Sequence, residues 1–418
     1  MRQLDKKKVI IVCRNYQNPI SACGICAYNI VKEFRNRGYA VWVLSISEAP
    51  YDATIEEGLN YIFVQEDKFT TINRSTKHNN SKLHSLLYKL RYFLRLPIAM
   101  LRYPVSSNSV RDNIFRLIKD LVDSNNIGLV VSTFSPYEPI VAAMDVKKIF
   151  KDTIRVVTYH LDPLLLPRNN NKLINLFKLA QGKIAVGKEA AVVDCILAQQ
   201  STEEYFTSPK ICYVDFPLFV SESDGDCKSS DFSYPNVSIN ISYIGTLDIN
   251  NRNPLFFFKL IDEIMKKNNL NNVLVHIWGF ISDGRVHDII KQYPFVIYHG
   301  MLDSVYVADI LRRSDILLNL SNMLSYLAIP SKIFQLFSAE RPIINIVRHP
   351  KDFAKKYFEI YPLVININEY EGFDERTVSE VASFIRENSS KKVTVDDTLY
   401  IKSKPSYIVD KIIGDENE

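Results

Sequence analysis

Two successive series of short β-rich runs, each alternating with amphipathic stretches, constrain this chain more than any other feature. Val9-Ile-Ile-Val-Cys13 is a continuous apolar run. A helical pattern follows from about Gly24 to Arg37, in which Ile25, Tyr28, Ile30, Val31 and Phe34 recur at helical spacing. Gly38 stands where a glycine ends a helix, and Ala40-Val-Trp-Val-Leu44 is a second apolar run. Strand, helix, glycine and strand make a βαβ unit, which closes into a parallel sheet through a right-handed crossover. Leu129–Val131, Ile154–Tyr159 and Cys195–Ala198 predict further strands, with helices over Pro136–Phe150 and Lys172–Lys183.

The rhythm breaks at Ser221–Asp231, which is polar and aperiodic and reads as a linker or long loop. A second series starts at Val237. Its strands are predicted over Ile239–Ile244, Val273–Trp278, Phe295–Tyr298, Asp315–Leu320 and Ile343–Val347. Its helices fall near Pro254–Lys267, Val286–Gln292, Ser304–Arg312, Ser331–Ala339 and Lys351–Phe358. The expectation is two doubly wound α/β domains, 1–220 and 237–390, joined by a linker at 221–236. Residues 391–418 form a tail or helix expected to pack back on the first domain. A chain of 418 residues is too long for one ordinary core, in keeping with two. Ligands bind beyond the carboxyl ends of strands in such sheets, and two facing domains make a cleft suited to small molecules.

The bulk numbers exclude several classes. A net charge of +4 does not suit a nucleic-acid binder, which must neutralise many phosphates. The first apolar run is too short for a signal peptide, and no run reaches the roughly 20 apolar residues of a membrane span. Six cysteines in so long a chain are no disulfide framework. The expected location is cytoplasmic.

The most informative segment is Ile329-Pro-Ser-Lys-Ile-Phe-Gln-Leu-Phe-Ser-Ala-Glu-Arg-Pro-Ile-Ile-Asn345. A helix opening at Pro330 would leave the amides of Ser331 and Lys332 free, beside a hydroxyl and an ammonium, which is an anion site. Gln335 lies one turn on. Tyr243-Ile-Gly-Thr-Leu-Asp-Ile-Asn-Asn-Arg-Asn-Pro254 carries a strand into a glycine turn, with Gly245 allowing close backbone approach and Arg252 able to fork onto a phosphate. Trp278-Gly279 and His299-Gly300-Met301 are two more strand ends with glycine.

In their order and spacing these segments resemble the large family of GT-B glycosyltransferases related to sucrose synthase and to bacterial polysaccharide assembly enzymes. The resemblance includes Arg37-Gly-Tyr-Ala-Val, Tyr159-His-Leu-Asp-Pro163, Tyr243-Ile-Gly-Thr-Leu, Ser314-Asp-Ile-Leu-Leu and Arg341-Pro-Ile-Ile. It implies a GT-B fold of two Rossmann-like domains facing across a cleft, and a hexosyltransferase-type activity. The C-terminal domain would hold a nucleotide-diphosphate sugar, and the N-terminal domain a saccharide or lipid-linked saccharide. Arg252 and Lys332 would neutralise the diphosphate, Ser331 would donate to it, and Gly24 would lie in a loop facing it. Gly245, Thr246, Gly279, His299, Gly300 and Gln335 complete the implied donor site. No metal or cofactor is implied, because cations and helix ends carry the charge of the leaving group. His160 corresponds to a histidine near the reacting sugar. Many relatives carry two glutamates eight positions apart; here those positions are Leu327 and Gln335. Gln335 can still bond ribose hydroxyls, whereas Leu327 cannot replace a carboxylate. Retention or inversion is thereby left open, and Asp162 or Glu138 is the candidate base for an inverting reaction.

Cys23-Gly-Ile-Cys26 is spaced like a redox dithiol, but it falls where the family's glycine loop falls. Lys82–Arg102 mixes Lys82, Lys89, Arg91, Arg95 and Arg102 with leucines and aromatics and contains no acid. Such a segment suits either a helix on the first sheet or peripheral contact with anionic lipid at the inner membrane face. Two other functions fit the resemblance: a non-catalytic nucleotide-binding partner subunit, motivated by Leu327 and Gln335, and a GT-B-fold sugar-nucleotide epimerase.

Overall fold

In a computed structural model the chain divides into two units, Met1–Pro217 with Lys402–Glu418 and Leu218–Ile401. The structure describes residues 5–16, 21–48, 57–66, 103–104, 106–162, 164–165, 172–219, 229–389 and 391–414. The basic segment 82–102, Pro163 and most of Ser221–Asp231 lie outside the described residues.

The first unit runs β1 (Asp5–Arg14), α1 (Ala22–Asn36), β2 (Ala40–Ser47), β3 (Asn60–Gln65), α2 (Asn108–Asn125), β4 (Ile127–Phe134), α3 (Glu138–Phe150), β5 (Arg155–His160), α4 (Lys172–Ala190), β6 (Cys195–Gln199) and β7 (Ile211–Val214). Its strands form one parallel sheet ordered β3-β2-β1-β4-β5-β6-β7. Val9 to Cys13 are fully buried, as a strand covered on both faces requires. Ile114, Ile118 and Val122 of α2 recur at helical spacing and pack with Ile140 of α3 against Ile10, Val130 and Val156 of the sheet. Each such side chain contributes about 1.5–3 kcal/mol by leaving water. Asn126, at φ 56°, ends α2 in the left-handed conformation that asparagine tolerates.

The second unit runs β8 (Ile239–Ile244), α5 (Leu255–Asn268), β9 (Val273–Trp278), α6 (Gly284–Ile290), β10 (Val296–Gly300), α7 (Ser304–Arg313), β11 (Ile316–Leu320), α8 (Lys332–Phe337), β12 (Ile343–Val347), α9 (Lys355–Glu359), β13 (Val364–Asn368) and α10 (Glu375–Asn388). Its parallel sheet is ordered β10-β9-β8-β11-β12-β13. One face is apolar, with Ile241, Val275, Leu318 and Ile344 under Phe258, Ile261 and Val381. The other carries Asn319, Asn345 and Asn366, joined side by side by amide hydrogen bonds of 2.7 Å each. Ser230 to Tyr234, inside the stretch read as a linker, is fixed to this unit. The Ser230 amide donates to Asp309 at 2.9 Å, and the Tyr234 hydroxyl bonds Ser242 and Ser314 at 2.8 and 2.9 Å.

The chain returns to the first unit as α11 (Pro405–Ile413), which lies along α1. Arg37 donates to Asp410 at 2.5 Å and to the Ser406 carbonyl at 3.0 Å, and Arg155 donates to the Ile412 carbonyl at 2.8 Å. No helix among the described residues is long and apolar enough to cross a membrane.

Candidate functional site

The strand order locates a candidate site in each unit. In the second, connections leave in opposite directions from the adjacent strands β8 and β11, so the loops after them, 245–254 and 321–331, border the crevice where such sheets bind ligands. The two loops are tied together. Arg252 Nε donates to Asn322 Oδ1 at 2.9 Å, and Asn251 Nδ2 donates to the same oxygen at 3.2 Å. The Asn251 carbonyl accepts from the Met323 amide at 3.2 Å and from Arg348 Nη1 at 2.6 Å. Arg348 also forks onto Glu369 at 2.8 and 2.9 Å, so its charge is matched. Neither Asn322 nor Arg348 stood out in the sequence, because nothing local marks a residue whose partners lie about 70 to 100 positions away.

Lys332 reaches across the crevice, its Nζ donating to the Ile244 carbonyl at 3.3 Å where β8 ends. Burial, followed by the charge of Arg252, pushes the ammonium down to about 8. The residue as a whole still keeps surface open to solvent. Among the described residues, neither Arg252 nor Lys332 is ion-paired with a carboxylate. The helix starts later than the sequence pattern indicated. Ser331 is the cap and α8 begins at Lys332, with Pro330 before the cap and its carbonyl accepting from the Ile333 amide at 3.2 Å. The Ser331 hydroxyl makes no capping bond, and Gln335 is half-buried one turn further on.

Gly279 has a structural reason of its own. A Cβ on Gly279 would stand 2.1 Å from the Gly245 carbonyl oxygen, and its φ is +127°. The Gly245 amide donates to Trp278 O at 2.9 Å, and the Gly279 amide to Gly300 O at 2.7 Å. The ends of β8, β9 and β10 are therefore laid backbone on backbone. Thr246 is exposed beside them, its carbonyl accepting from the Tyr243 hydroxyl at 3.0 Å. His299 closes the row at β10, half-buried and stacked on Trp278 at 4.5 Å.

In the first unit the same logic selects the ends of β1 and β4. Gly24 is not in a loop but in the first turn of α1, after the cap Ser21, whose hydroxyl accepts from the Gly24 amide at 3.2 Å. A Cβ there would lie 2.0 Å from the Asn15 carbonyl oxygen, so helix start and strand end meet only through glycine. Cys26 is fully buried, and burial, Cys23 and Asp162 together push its thiol well up. A redox dithiol needs the opposite shift. Glu138 is buried, and its carboxylate accepts from the Ser107 amide at 2.6 Å, tying α3 to the start of α2.

His160 ends β5 and is only 4% exposed. Its Nε2 lies 3.0 and 3.1 Å from the two oxygens of Glu189, which is fully buried and also accepts from the Thr158 hydroxyl. Glu189 was missed in the sequence, although it is the lone acid in the lysine-rich α4. Leu164, Thr202, Phe206 and Tyr213 join His160 around a cavity of about 10 Å³, room for about one water. Asp162, two residues on, is half-buried, and its charge acts on Cys26, so it stands near the start of α1. Among the described residues, no group of three His, Cys, Asp or Glu is placed to hold a metal ion.

No protein-family model matches the chain, and no curated protein matches it in sequence. Solved structures do. An E. coli trehalose-6-phosphate synthase bound with UDP-2-fluoro glucose superposes with a TM-score of 0.56 at 10% identity, over 97% of this chain and 96% of that one. TarM of S. aureus, in a complex with fondaparinux, alpha-GlcNAc-glycerol and UDP, gives 0.54 at 11% identity, over 97% and 96%. The chain has the GT-B fold. A putative UDP-N-acetylglucosamine 2-epimerase from Listeria monocytogenes is similar to it as well, with a TM-score of 0.51 at 9% identity over 98% of this chain and 95% of that one. The GT-B fold accounts for the two parallel sheets and their order, and it assigns each crevice to a loop pair without deciding the chemistry.

Proposed function

We propose that this chain is a glycosyltransferase that moves a sugar from a nucleotide-diphosphate donor to a saccharide or lipid-linked saccharide, in cell-surface polysaccharide assembly. One observation carries the reading. Arg252 and Lys332 are brought close together at the carboxyl end of β8, beside a glycine-lined edge, with no carboxylate among the described residues to balance them. Two such cations are matched by a diphosphate, whose charge grows as the glycosidic bond breaks, and a site that stabilises that growing charge favours the transition state. In this reading Ser331 and Arg252 orient the diphosphate and Lys332 neutralises the leaving group. Neighbouring strands are about 4.8 Å apart, so β10, two strands from β8, is about 10 Å away. That span lets the nucleoside half of the donor reach His299 and Gly300.

On the acceptor side, Asp162 suits the role of base better than Glu138 or His160. It keeps open surface, whereas the other two are buried and engaged by Ser107 and Glu189. The neighbours whose structures contain UDP-2-fluoro glucose and UDP make UDP-sugars the first donors to test. Incubation of the pure protein with UDP-, GDP- and dTDP-sugars and a saccharide acceptor should release nucleoside diphosphate in step with transfer. Absence of both from every pairing would defeat the proposal. Any hydrolysis or transfer by the pure protein dismisses the non-catalytic partner reading. The epimerase neighbour supports a second reading, that the same site isomerises the sugar. Conversion of a donor to its epimer without any acceptor would favour it.

A further inference from the structure

His276 lies in β9, 1% exposed, inside a cage of rings. The His299 and Trp278 rings lie nearly parallel to it at 5.2 and 5.7 Å, and the edges of Phe232 and Tyr234 close the sides at 5.8 and 5.0 Å. Its two nitrogens are both engaged: Nε2 is 3.1 Å from Asn240 Oδ1, and Nδ1 is 2.9 Å from His299 Nε2.

The direction of these bonds follows from Asn240. Its Nδ2 is 2.9 Å from Ser238 O, 3.0 Å from Asp315 Oδ2 and 3.3 Å from Pro235 O. Three acceptors around one end identify it as the NH2 group, so the other end is the oxygen and only accepts. His276 Nε2 must then carry the proton. A neutral imidazole donates from one nitrogen and accepts at the other, so His276 Nδ1 holds a lone pair and His299 Nε2 must donate to it. His299 Nδ1 is left with a lone pair, and nothing among the described residues donates to it. Burial favours the neutral rings, lowering both histidines, His276 to about 4. Asp315 touches this chain of bonds only through the Asn240 amide, and Tyr234 only through its ring edge.

We propose that His276 is a positioning residue that locks His299 in one neutral tautomer, so that His299 offers an acceptor nitrogen at the end of β10 to an N–H or O–H of the bound nucleoside. The inference rests on the donor-site reading above. Without His276, the His299 ring is free to exchange tautomers, and the wrong one sets a donor against a donor. A nucleobase N–H and a ribose hydroxyl supply the same chemistry, and analogues separate them.

The experiment uses the full chain with ¹⁵N-labelled histidine, assigned through His276→Asn and His299→Ala. Both rings should be protonated at Nε2 and not at Nδ1. Saturating UDP should move the His299 Nδ1 signal and leave that of His276 in place. His276→Leu should weaken UDP binding about tenfold, by loss of one hydrogen bond, with inorganic pyrophosphate unaffected. His276→Asn, whose Oδ1 can stand in for Nδ1, should restore it. Loss of affinity for N3-methyl-UDP identifies the base as the donor, and loss for 2′-deoxy-UDP or 3′-deoxy-UDP identifies the ribose. A proton on His299 Nδ1, an unmoved His299 signal with UDP bound, or undiminished binding of all three analogues overturns the proposal. If His276→Leu fails to fold, the wild-type spectra and the analogues decide. Failure of UDP, GDP, dTDP and pyrophosphate alike to bind is a separate outcome, which brings down the donor-site reading beneath it.

Discussion

Replacing Lys332 by alanine bears most directly on the proposed donor site. The ammonium is anchored by the Ile244 carbonyl at 3.3 Å and faces the charge of Arg252, so it is already poised where an anion would enter. A hydrogen bond to a charged group contributes about 1.5–3 kcal/mol, and Lys332→Ala should therefore weaken UDP about 10- to 150-fold. A second signature comes from protonation. With its ammonium near 8, Lys332 is about nine-tenths charged at pH 7 and largely neutral by pH 9.5. Affinity for UDP should fall as pH rises through that window, with a proton taken up on binding. Lys332→Arg, which stays charged throughout, should not show the fall. Stability of the unliganded chain should run the other way. The unfolded lysine, near 10.5, holds its proton where the folded one has released it, so this group favours folding more as pH rises from about 8 to 10.5. Calorimetric titration at pH 7 and pH 9.5 in one salt concentration measures both effects on binding. Affinity within twofold of wild type for Lys332→Ala, or the same pH dependence in Lys332→Arg, would refute the reasoning.

Other perturbations test other parts of the molecule. Gly279→Ala places a methyl 2.1 Å from Gly245 O at a positive φ and should cost about 1–3 kcal/mol or more, read as a lower unfolding midpoint; an unchanged midpoint would show that the strand ends can part. His276, near 4 in the fold against 6.5 in the unfolded chain, contributes stability that is complete above 6.5 and lost as pH falls toward 4, about 3 kcal/mol in all. Thermal melts across that window should show the loss, and His276→Asn should flatten it; parallel slopes would count against the buried pair. Peripheral attachment through residues 82–102 remains a proposal from sequence. The wild type should float with anionic liposomes, whereas a version with Lys82, Lys89, Arg91, Arg95 and Arg102 changed to Gln should not; two soluble proteins would end it.

The sequence made the central strands legible because they are buried on both faces and read as short runs dominated by apolar residues. Ile239–Ile244, Val273–Trp278 and Ile343–Val347 are predicted and observed with the same limits. The edge strands β3, β7 and β13 were not picked out. Neither were α2 and α10, although Val378, Val381, Ala382 and Ile385 of α10 recur at helical spacing. For Gly279 the structure adds a reason that the sequence pattern did not contain, the close approach of the Gly245 carbonyl. Partners distant in sequence left no trace at all. Asn322 on Arg252, Glu189 on His160 and Asn240 on His276 each depend on strand order, which no local pattern encodes.

Leu327 and Gln335 look different once Lys332 is seen in place. Gln335 lies three residues after Lys332 on α8, the spacing at which helix side chains are neighbours. A glutamate there would pair with the ammonium and raise its pKa. Glutamine offers no charge, and Leu327 adds none in the loop before the helix, so burial and, after it, the charge of Arg252 push Lys332 down with no carboxylate at either position to oppose them. The missing carboxylates therefore do more than remove candidate hydrogen bonds to a sugar. In the proposed donor site they leave the cations of the crevice to be balanced by the ligand, and the affinity of the bare nucleoside diphosphate should then be more sensitive to pH than it would be with a glutamate at position 335. Gln335→Glu should raise the pH at which UDP affinity falls while lowering that affinity at pH 7, because the new carboxylate competes with the diphosphate for the same ammonium. If Gln335→Glu leaves both unchanged, Lys332 does not face the ligand.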